Sequence, residues 1–313
     1  MRALVTGATG FIGRVVCNHL TGRGFDVRAA TRNAGSEIAG VECVPIGDLG
    51  PATRWEAALA GADAVVHLAG RAHVRGGDSD EERRRVQEVN VEATRALAAA
   101  ARSADVRRFV LVSTAKVLGE NSVDGPWTEA GPAVPDDPYA RSKRAAEQAL
   151  ADLAGASLLE PVILRPPLVY GPGVKANFLA LMRVVDRGWP LPLASIANRR
   201  SLIYVGNLAD AIARCIEAPA AAGKTFLVSD GVPVSTPELC RALATALRRP
   251  ARLLPFPVSA LELVPSLRKL TRSFEVDDSA IRRELGWTPP YSFEEGIRAT
   301  AEWYLKEGRS ARG

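Results

Sequence analysis

The segment LVTGATGFIGRVV, residues 4–16, narrows the possible folds more than any other part of the chain. Gly7, Gly10 and Gly13 stand three apart between an apolar strand at Ala3–Val5 and a helix from Gly10 to Leu20. Glycine admits backbone conformations closed to other residues and lets a ligand come close to the main chain. The helix that follows presents free N–H groups and the positive end of its dipole. A strand, a glycine turn and a helix in this order read as a pyrophosphate cradle, with Gly7, Gly10, Phe11, Ile12 and Gly13 facing a dinucleotide.

The rest of the first half repeats that grammar. Strands are expected at Asp26–Ala30, Val41–Pro45, within Ala62–Gly70, at Arg107–Thr114 and at Pro161–Pro167. Between them lie helices at Trp55–Ala60, Val86–Arg102 and Pro138–Leu153. Continuous apolar strands separated by helices indicate a parallel sheet covered on both faces. The fold class is therefore α/β, a Rossmann doubly wound parallel sheet with ligands at the carboxyl ends of its strands. After residue 167 proline and glycine become frequent. This shift suggests a dinucleotide-binding core at 1–167, with late core strands from about 201–230, including Lys224–Asp230. A smaller, mostly helical substrate lobe is expected at 168–200 and 231–313, with one clear helix at Ser279–Trp287.

Composition excludes several other classes. The hydrophobic fraction is 47% and the charged fraction 24%, and no apolar run is long enough to span a bilayer. No signal-peptide pattern precedes the first strand, so a cytoplasmic protein is expected. The net charge of +5 is mild, and the run EERRRVQEVN mixes both signs at helical spacing. That pattern reads as a solvated helix face and not as a nucleic-acid surface. Cys17, Cys43, Cys215 and Cys240 lie far apart with no metal-ligand spacing, which implies packed free thiols and no metal site.

Other strand ends carry candidate cofactor contacts. An acidic residue at the end of the second strand favours NAD, and an arginine favours the 2′-phosphate of NADP. Here Thr31 stands at that end and Arg32 follows it, which leans slightly toward NADP. Asp48 and Leu49 follow the third strand near the expected adenine, and Leu68, Ala69 and Gly70 end the fourth strand with little bulk. His67 reads as a packed or hydrogen-bonded strand residue. On the helix at Pro138–Leu153, Tyr139 and Lys143 are one turn apart on one face. A free tyrosine titrates near pH ~10, and a neighbouring ammonium favours its phenolate.

Taken in order, TGATGFIG, GDL, VVHLAG, VNVEAT, LVSTAKVLGE, YARSK, RPPLVYGPG and ELGW resemble the extended short-chain dehydrogenases/reductases. More narrowly, the chain resembles their NAD-dependent epimerase/dehydratase group, which acts on nucleotide sugars. The resemblance spans nearly the whole chain. It implies Thr114, Tyr139 and Lys143 as catalytic residues, with Thr114 lying 25 residues before Tyr139. It places Asn90 and Pro166 beside the cofactor together with Tyr139 and Lys143. It implies a UDP-sugar substrate held by Thr114, Asn177, Leu191, Arg200 and Arg272. Two departures stand out: Leu168 replaces a phosphate-reaching asparagine, and a late Arg-x-Gly-Asp motif is missing. Arg268, Lys269 and Arg272 are the candidates to replace it. A homodimer is common in such enzymes.

Three reactions share this machinery. Ala115-Lys116 follow Thr114 where 4,6-dehydratases carry Asp-Glu, which disfavours dehydration. The overall pattern is most similar to UDP-N-acetylquinovosamine dehydrogenase, a 4-ketoreductase of a UDP-N-acetyl-6-deoxyhexose. A UDP-sugar 4-epimerase with tightly bound NAD is the alternative. A ketoreductase of a steroid- or flavonoid-like substrate and a non-catalytic Rossmann sensor rank lower.

Overall fold

The computed structural model describes residues 1–71, 79–155, 158–265 and 267–308. In chain order the strands are β1 (Arg2–Thr6), β2 (Asp26–Thr31), β3 (Glu42–Pro45), β4 (Ala64–His67), β5 (Arg108–Val112) and β6 (Glu160–Arg165). They are followed by β7 (Leu168–Tyr170), β8 (Leu202–Tyr204) and β9 (Thr225–Leu227). Among the described residues, seven form one parallel sheet in the order β3-β2-β1-β4-β5-β6-β9. The order reverses between β1 and β4, which opens a crevice above their carboxyl ends. Thr6, the last residue of β1, pairs in register with His67, the last residue of β4.

Alternation along the strands feeds two cores. Ala3, Val5, Val66, Val110 and Val112 face the helices Phe11–Gly22 and Val205–Glu217. Leu4, Val65, Phe109 and Leu111 face the helices Ala93–Ser103 and Pro138–Ala154. A third core gathers Tyr170, Phe178, Leu239, Leu243 and Ile297 from the later part of the chain, and Phe11 packs against it from the glycine loop. Cys17, Cys215 and Cys240 are buried free thiols, and burial pushes them up to about 12, 12 and 11.

Several sequence expectations are corrected. Of the stretch 201–230, only Thr225–Leu227 enters the large sheet. Leu202–Tyr204 pairs instead with Leu168–Tyr170 in a separate two-stranded sheet, because its register partners are Leu168 to Tyr170. The helix expected to start at Val86 begins at Asp80, where Ser79 caps it by accepting from Glu82 N. A π turn at Glu88–Glu92 then interrupts it before the helix resumes at Ala93. The helix expected at Ser279–Trp287 stops at Leu285, where Gly286 takes a left-handed conformation at φ 62°.

The helix Pro138–Ala154 is seated by a buried ion pair. Arg165 at the end of β6 donates to both oxygens of Glu147, at 3.0 and 2.7 Å, with side-chain exposures of 6% and 1%. Breaking such a pair from one side strands a buried charge, whereas replacing both with apolar groups is often tolerated. Glu147→Ala is expected to cost roughly 3–5 kcal/mol of stability in urea unfolding, and the double change Glu147→Leu with Arg165→Met markedly less. A single-variant cost under about 1 kcal/mol contradicts this role for the pair.

Candidate active site

All strands of the large sheet run the same way, so every strand-end residue singled out above emerges at one edge. The glycine loop there is fixed by close backbone packing. Gly7 has φ +67°, and a Cβ on it would lie 2.8 Å from the amide nitrogen of Ala69. A Cβ on Gly13 would lie 2.1 Å from the carbonyl oxygen of Gly7, so the helix settles directly onto the loop. Gly10 begins that helix without a side-chain cap, and its first turn carries no acidic residue. The N–H groups and positive dipole end of the helix are left for an anion, which fits a dinucleotide pyrophosphate.

At the ends of β2 and β3, Arg32 Nε pairs with Asp48 Oδ1 at 3.0 Å, and both side chains are largely exposed. Two residues expected to meet different parts of a cofactor thus meet each other. Thr31 is buried and donates to Asn33 O at 3.2 Å, so it is turned to the protein. Asp48 and Leu49 also line a cavity of about 470 Å³ with Pro45, Thr53 and Glu88.

His67 is fully buried in a closed relay. Thr94 Oγ1 donates to Asn90 O at 2.7 Å, so it accepts from His67 Nε2 at 3.0 Å. Thr6 Oγ1 accepts from Ala69 N at 3.2 Å and donates to His67 Nδ1 at 2.7 Å. The neutral ring with its proton on Nε2 satisfies every partner. Burial, and then the charge of Lys143, push its pKa down to about 3. His67 is thereby a structural link between β1, β4 and the following helix, and not a proton carrier.

Asn90 occupies the π turn, a distortion that often marks functional sites. Its Oδ1 accepts from Arg71 N at 2.7 Å, while its Nδ2 donates to Arg71 O and to Ser142 Oγ, at 3.2 and 2.8 Å. Ser142 in turn donates to Tyr139 O at 2.7 Å. Asn90 therefore joins the end of β4 to the helix of Tyr139 and Lys143. A Cβ on Gly70 would lie 3.2 Å from Asn90 Oδ1 and 3.8 Å from Lys143 Nζ, so these three positions converge. Lys143 is buried, and its ammonium donates no hydrogen bond to any of the described residues. Burial pushes it down to about 8, against the opposing charge of Glu147.

Thr114 ends the β5 segment as the cap of the 3-10 turn Ala115–Leu118, accepting from Lys116 N at 3.3 Å. The helix Pro138–Ala154 packs against that turn, which brings Thr114 and Tyr139 to the same edge. Ala115 N donates to Pro166 O at 2.8 Å, tying the end of β6 to them. Tyr139 departs from expectation: burial, and then the charge of Asp137, push its phenol up to about 12. In the protein's own field the phenol is held neutral, chiefly by its burial and further by the Asp137 carboxylate.

The expected substrate contacts fall into separate groups. Arg200 Nη1 donates to Lys269 O and Arg272 O, at 2.7 and 3.0 Å, and burial holds its pKa down. Asn198 Nδ2 donates to Leu270 O and Arg272 O, both at 3.0 Å. Arg272 Nη1 donates to Asn121 Oδ1 at 3.0 Å once the Asn121 amide faces both its neighbours correctly. Arg200 and Arg272 therefore share one cluster. Asn177 stands exposed near the start of the helix Ala176–Asp186, with Ala176 before it at φ +52°. Leu191 forms a group of its own. Its N–H donates to Arg252 O, and its carbonyl accepts from Leu254 N and Leu193 N, each at 2.8 Å. No backbone group of Leu191 remains for a base, because a bridge to Leu253 has taken them.

Sequence reasoning missed Arg71, Ser142 and Asn198. Ser142 lies within YARSK, one residue before Lys143, and Arg71 directly follows HLAG, so adjacency was the available signal. Asn198 offered none.

The sequence matches the NAD dependent epimerase/dehydratase family over residues 3–229. The chain belongs to that family. It is 42% identical to a UDP-glucose 4-epimerase of Vibrio cholerae, over 97% of this chain and 95% of that protein. It is 31% identical to a 2-alkyl-3-oxoalkanoate reductase of Stenotrophomonas maltophilia, over 95% and 98%. Among solved structures it is similar to MoeE5 in complex with UDP-glucose and NAD, with a TM-score of 0.80 and 26% identity, covering 98% and 99% of the two chains. As a member of this NAD-dependent family of nucleotide-sugar epimerases, dehydratases and reductases, the chain is an enzyme with a Rossmann fold. No helix among the described residues is long and apolar enough to cross a membrane.

The His67 relay is open to direct measurement. The unfolded chain protonates histidine near pH ~6.5, while the folded ring stays neutral to about 3. Unfolding takes up a proton between those values, so this contribution to stability is complete above ~6.5 and fades as pH falls toward 3. Nitrogen-detected NMR at pH 5 is expected to find His67 neutral with its proton on Nε2. A ring protonated with a midpoint near 6 contradicts the relay.

Proposed function

We propose that this chain catalyses hydride transfer at C4 of a UDP-linked hexose, as a 4-ketoreductase/dehydrogenase using NAD or NADP. A bound nicotinamide dinucleotide supplies or accepts the hydride. The glycine loop Gly7–Gly13 would hold its pyrophosphate, and the Lys143 ammonium its ribose hydroxyls. Thr114 Oγ1 would orient the C4 oxygen, and the neutral Tyr139 phenol would deliver its proton to that oxygen during reduction. In oxidation Tyr139 takes that proton back, which requires the phenolate. The convergence at the sheet's carboxyl edge of Gly70, Asn90 and a Lys143 ammonium without a hydrogen bond among the described residues carries this reading.

The Arg200–Arg272 cluster supports a cationic grip for the UDP phosphates, and stretches 168–200 and 231–313 would then form the substrate lobe, with Asn177 in the first of them. Leu191 would offer the uracil an apolar surface only. The exposure of Arg32 and Asp48 supports a cofactor whose adenosine end lies open to solvent. The absence of a carboxylate at Thr31 supports NADP alongside NAD. Arg32→Ala is then expected to raise the KM for NADP several-fold more than that for NAD in steady-state kinetics. Equal effects count against the NADP preference.

The 42% identity to the Vibrio cholerae protein favours a second reading, 4-epimerisation of the UDP-hexose with retained NAD. Cofactor retention separates the two. The reductase should elute without absorbance from bound nucleotide and require added cofactor, whereas epimerisation without added cofactor establishes the second reading. In either case Tyr139→Phe should lower kcat by about 10²–10⁴-fold with an unchanged melting temperature. Full activity in that variant would falsify the site.

A further inference from the structure

Lys116 lies where dehydratases of this family carry an acid, and its side chain is used in another way here. It belongs to the 3-10 turn that Thr114 caps, and its own N–H donates to Thr114 Oγ1 at 3.3 Å. Its ammonium pairs with Asp137 Oδ2 and stands 3.8 Å from Glu120. The other oxygen of Asp137 accepts from Ala140 N at 2.7 Å, capping the helix that carries Tyr139 and Lys143. One lysine thus bridges the turn of the substrate-orienting hydroxyl and the helix of the phenol. The pair is about two-thirds buried, with side-chain exposures of 33% and 29%, so its charges are only partly screened by solvent.

The charges around this bridge decide what it does. Asp137 faces Lys116 from the turn and Lys269 from the segment Arg268–Thr271, and Lys116 also faces Glu120. Asp137 caps the helix two residues before Tyr139 and its charge acts on the phenol, while Lys143 lies one turn further along the same helix. Burial acts to raise the Asp137 carboxyl, but the Lys116 hydrogen bond, the Ala140 amide and the charges of Lys116 and Lys269 hold it low. Asp137 is therefore ionised beside the phenol, and its charge opposes formation of a phenolate.

We propose that Lys116 is a positioning residue that neutralises Asp137 and so tunes the proton affinity of Tyr139, while joining the Thr114 turn to the Tyr139 helix. The inference rests on the reading of Tyr139 as the proton-handling group. Loss of the ammonium leaves Asp137 held by the Ala140 amide and the Lys269 charge but without its ion-pair partner, so more of its charge acts on the phenol and the neutral form is stabilised further. In the oxidation direction, which needs the phenolate, activity then rises only at higher pH.

The test compares the wild-type protein with Lys116→Met, Lys116→Arg and Asp137→Asn. Asparagine keeps the helix cap while deleting the charge. One readout is the pH profile of kcat/KM for UDP-hexose oxidation with added cofactor. Lys116→Met is expected to shift the rising limb up by roughly one pH unit, about tenfold in kcat/KM at neutral pH. Lys116→Arg restores the limb, and Asp137→Asn moves it down. A Lys116→Met enzyme that loses activity equally at every pH, or only melts at lower temperature, overturns the proposal. The second readout needs no substrate: NMR titration of ring-labelled tyrosine in the ligand-free protein, with the signal assigned through Tyr139→Phe. Asp137→Asn must titrate below wild type, and coincident curves overturn the proposal even if Lys116→Met fails to fold. Absence of any UDP-hexose turnover by the wild type sinks the functional reading alone, and the titration still decides the role of Lys116.

Discussion

The carbonyl oxygen of Gly7 occupies the place where a side chain at position 13 would have to go. That one contact fixes how the first helix sits on the first strand, and with it the direction of the helix dipole. The Gly7 turn is in turn pressed against Ala69, so the loop and the end of β4 are placed together. The Thr6–His67–Thr94 relay then locks the same two strand ends to the helix bearing Asn90, and Asn90 passes that position on to Tyr139 through Ser142. The site is built as a chain of backbone contacts and neutral hydrogen bonds, with few mobile charges inside it.

Electrostatics in this frame run against a simple reading of a tyrosine–lysine pair. Burial raises the phenol and lowers the ammonium, so each is pushed toward its neutral form. Proximity on one helix face did not make Lys143 the charge that dominates Tyr139; Asp137 has that place. The polar groups around the pair consequently matter as much as the pair itself, and Asp137, held by Lys116, is the charged one that caps its helix.

Much of this was legible in the sequence because local rules and tertiary packing agreed. The glycine run, the parallel strands and the helix of YARSK each carry a short-range signal, and their order along the chain fixes the edge at which they meet. What was not legible depends on long-range partners. Leu202–Tyr204 is as apolar as a core strand, and only its pairing with Leu168–Tyr170 removes it from the large sheet. The π turn at Asn90 arises within an unbroken helical pattern. The backbone of Leu191 is consumed by residues about 60 positions later, which no local pattern reveals. The same is true of Arg200, whose guanidinium holds the carbonyls of Lys269 and Arg272.

In the proposed site the glycine loop and Lys143 hold the dinucleotide, while Thr114 and Tyr139 act on one substrate oxygen beside it. A crystal structure with NAD and a UDP-hexose tests this arrangement most directly. The C4 oxygen is expected within hydrogen-bond distance of both Tyr139 Oη and Thr114 Oγ1, with Lys143 Nζ on the nicotinamide ribose. A sugar ring turned away from Tyr139, or a dinucleotide bound elsewhere than at Gly7–Gly13, contradicts it.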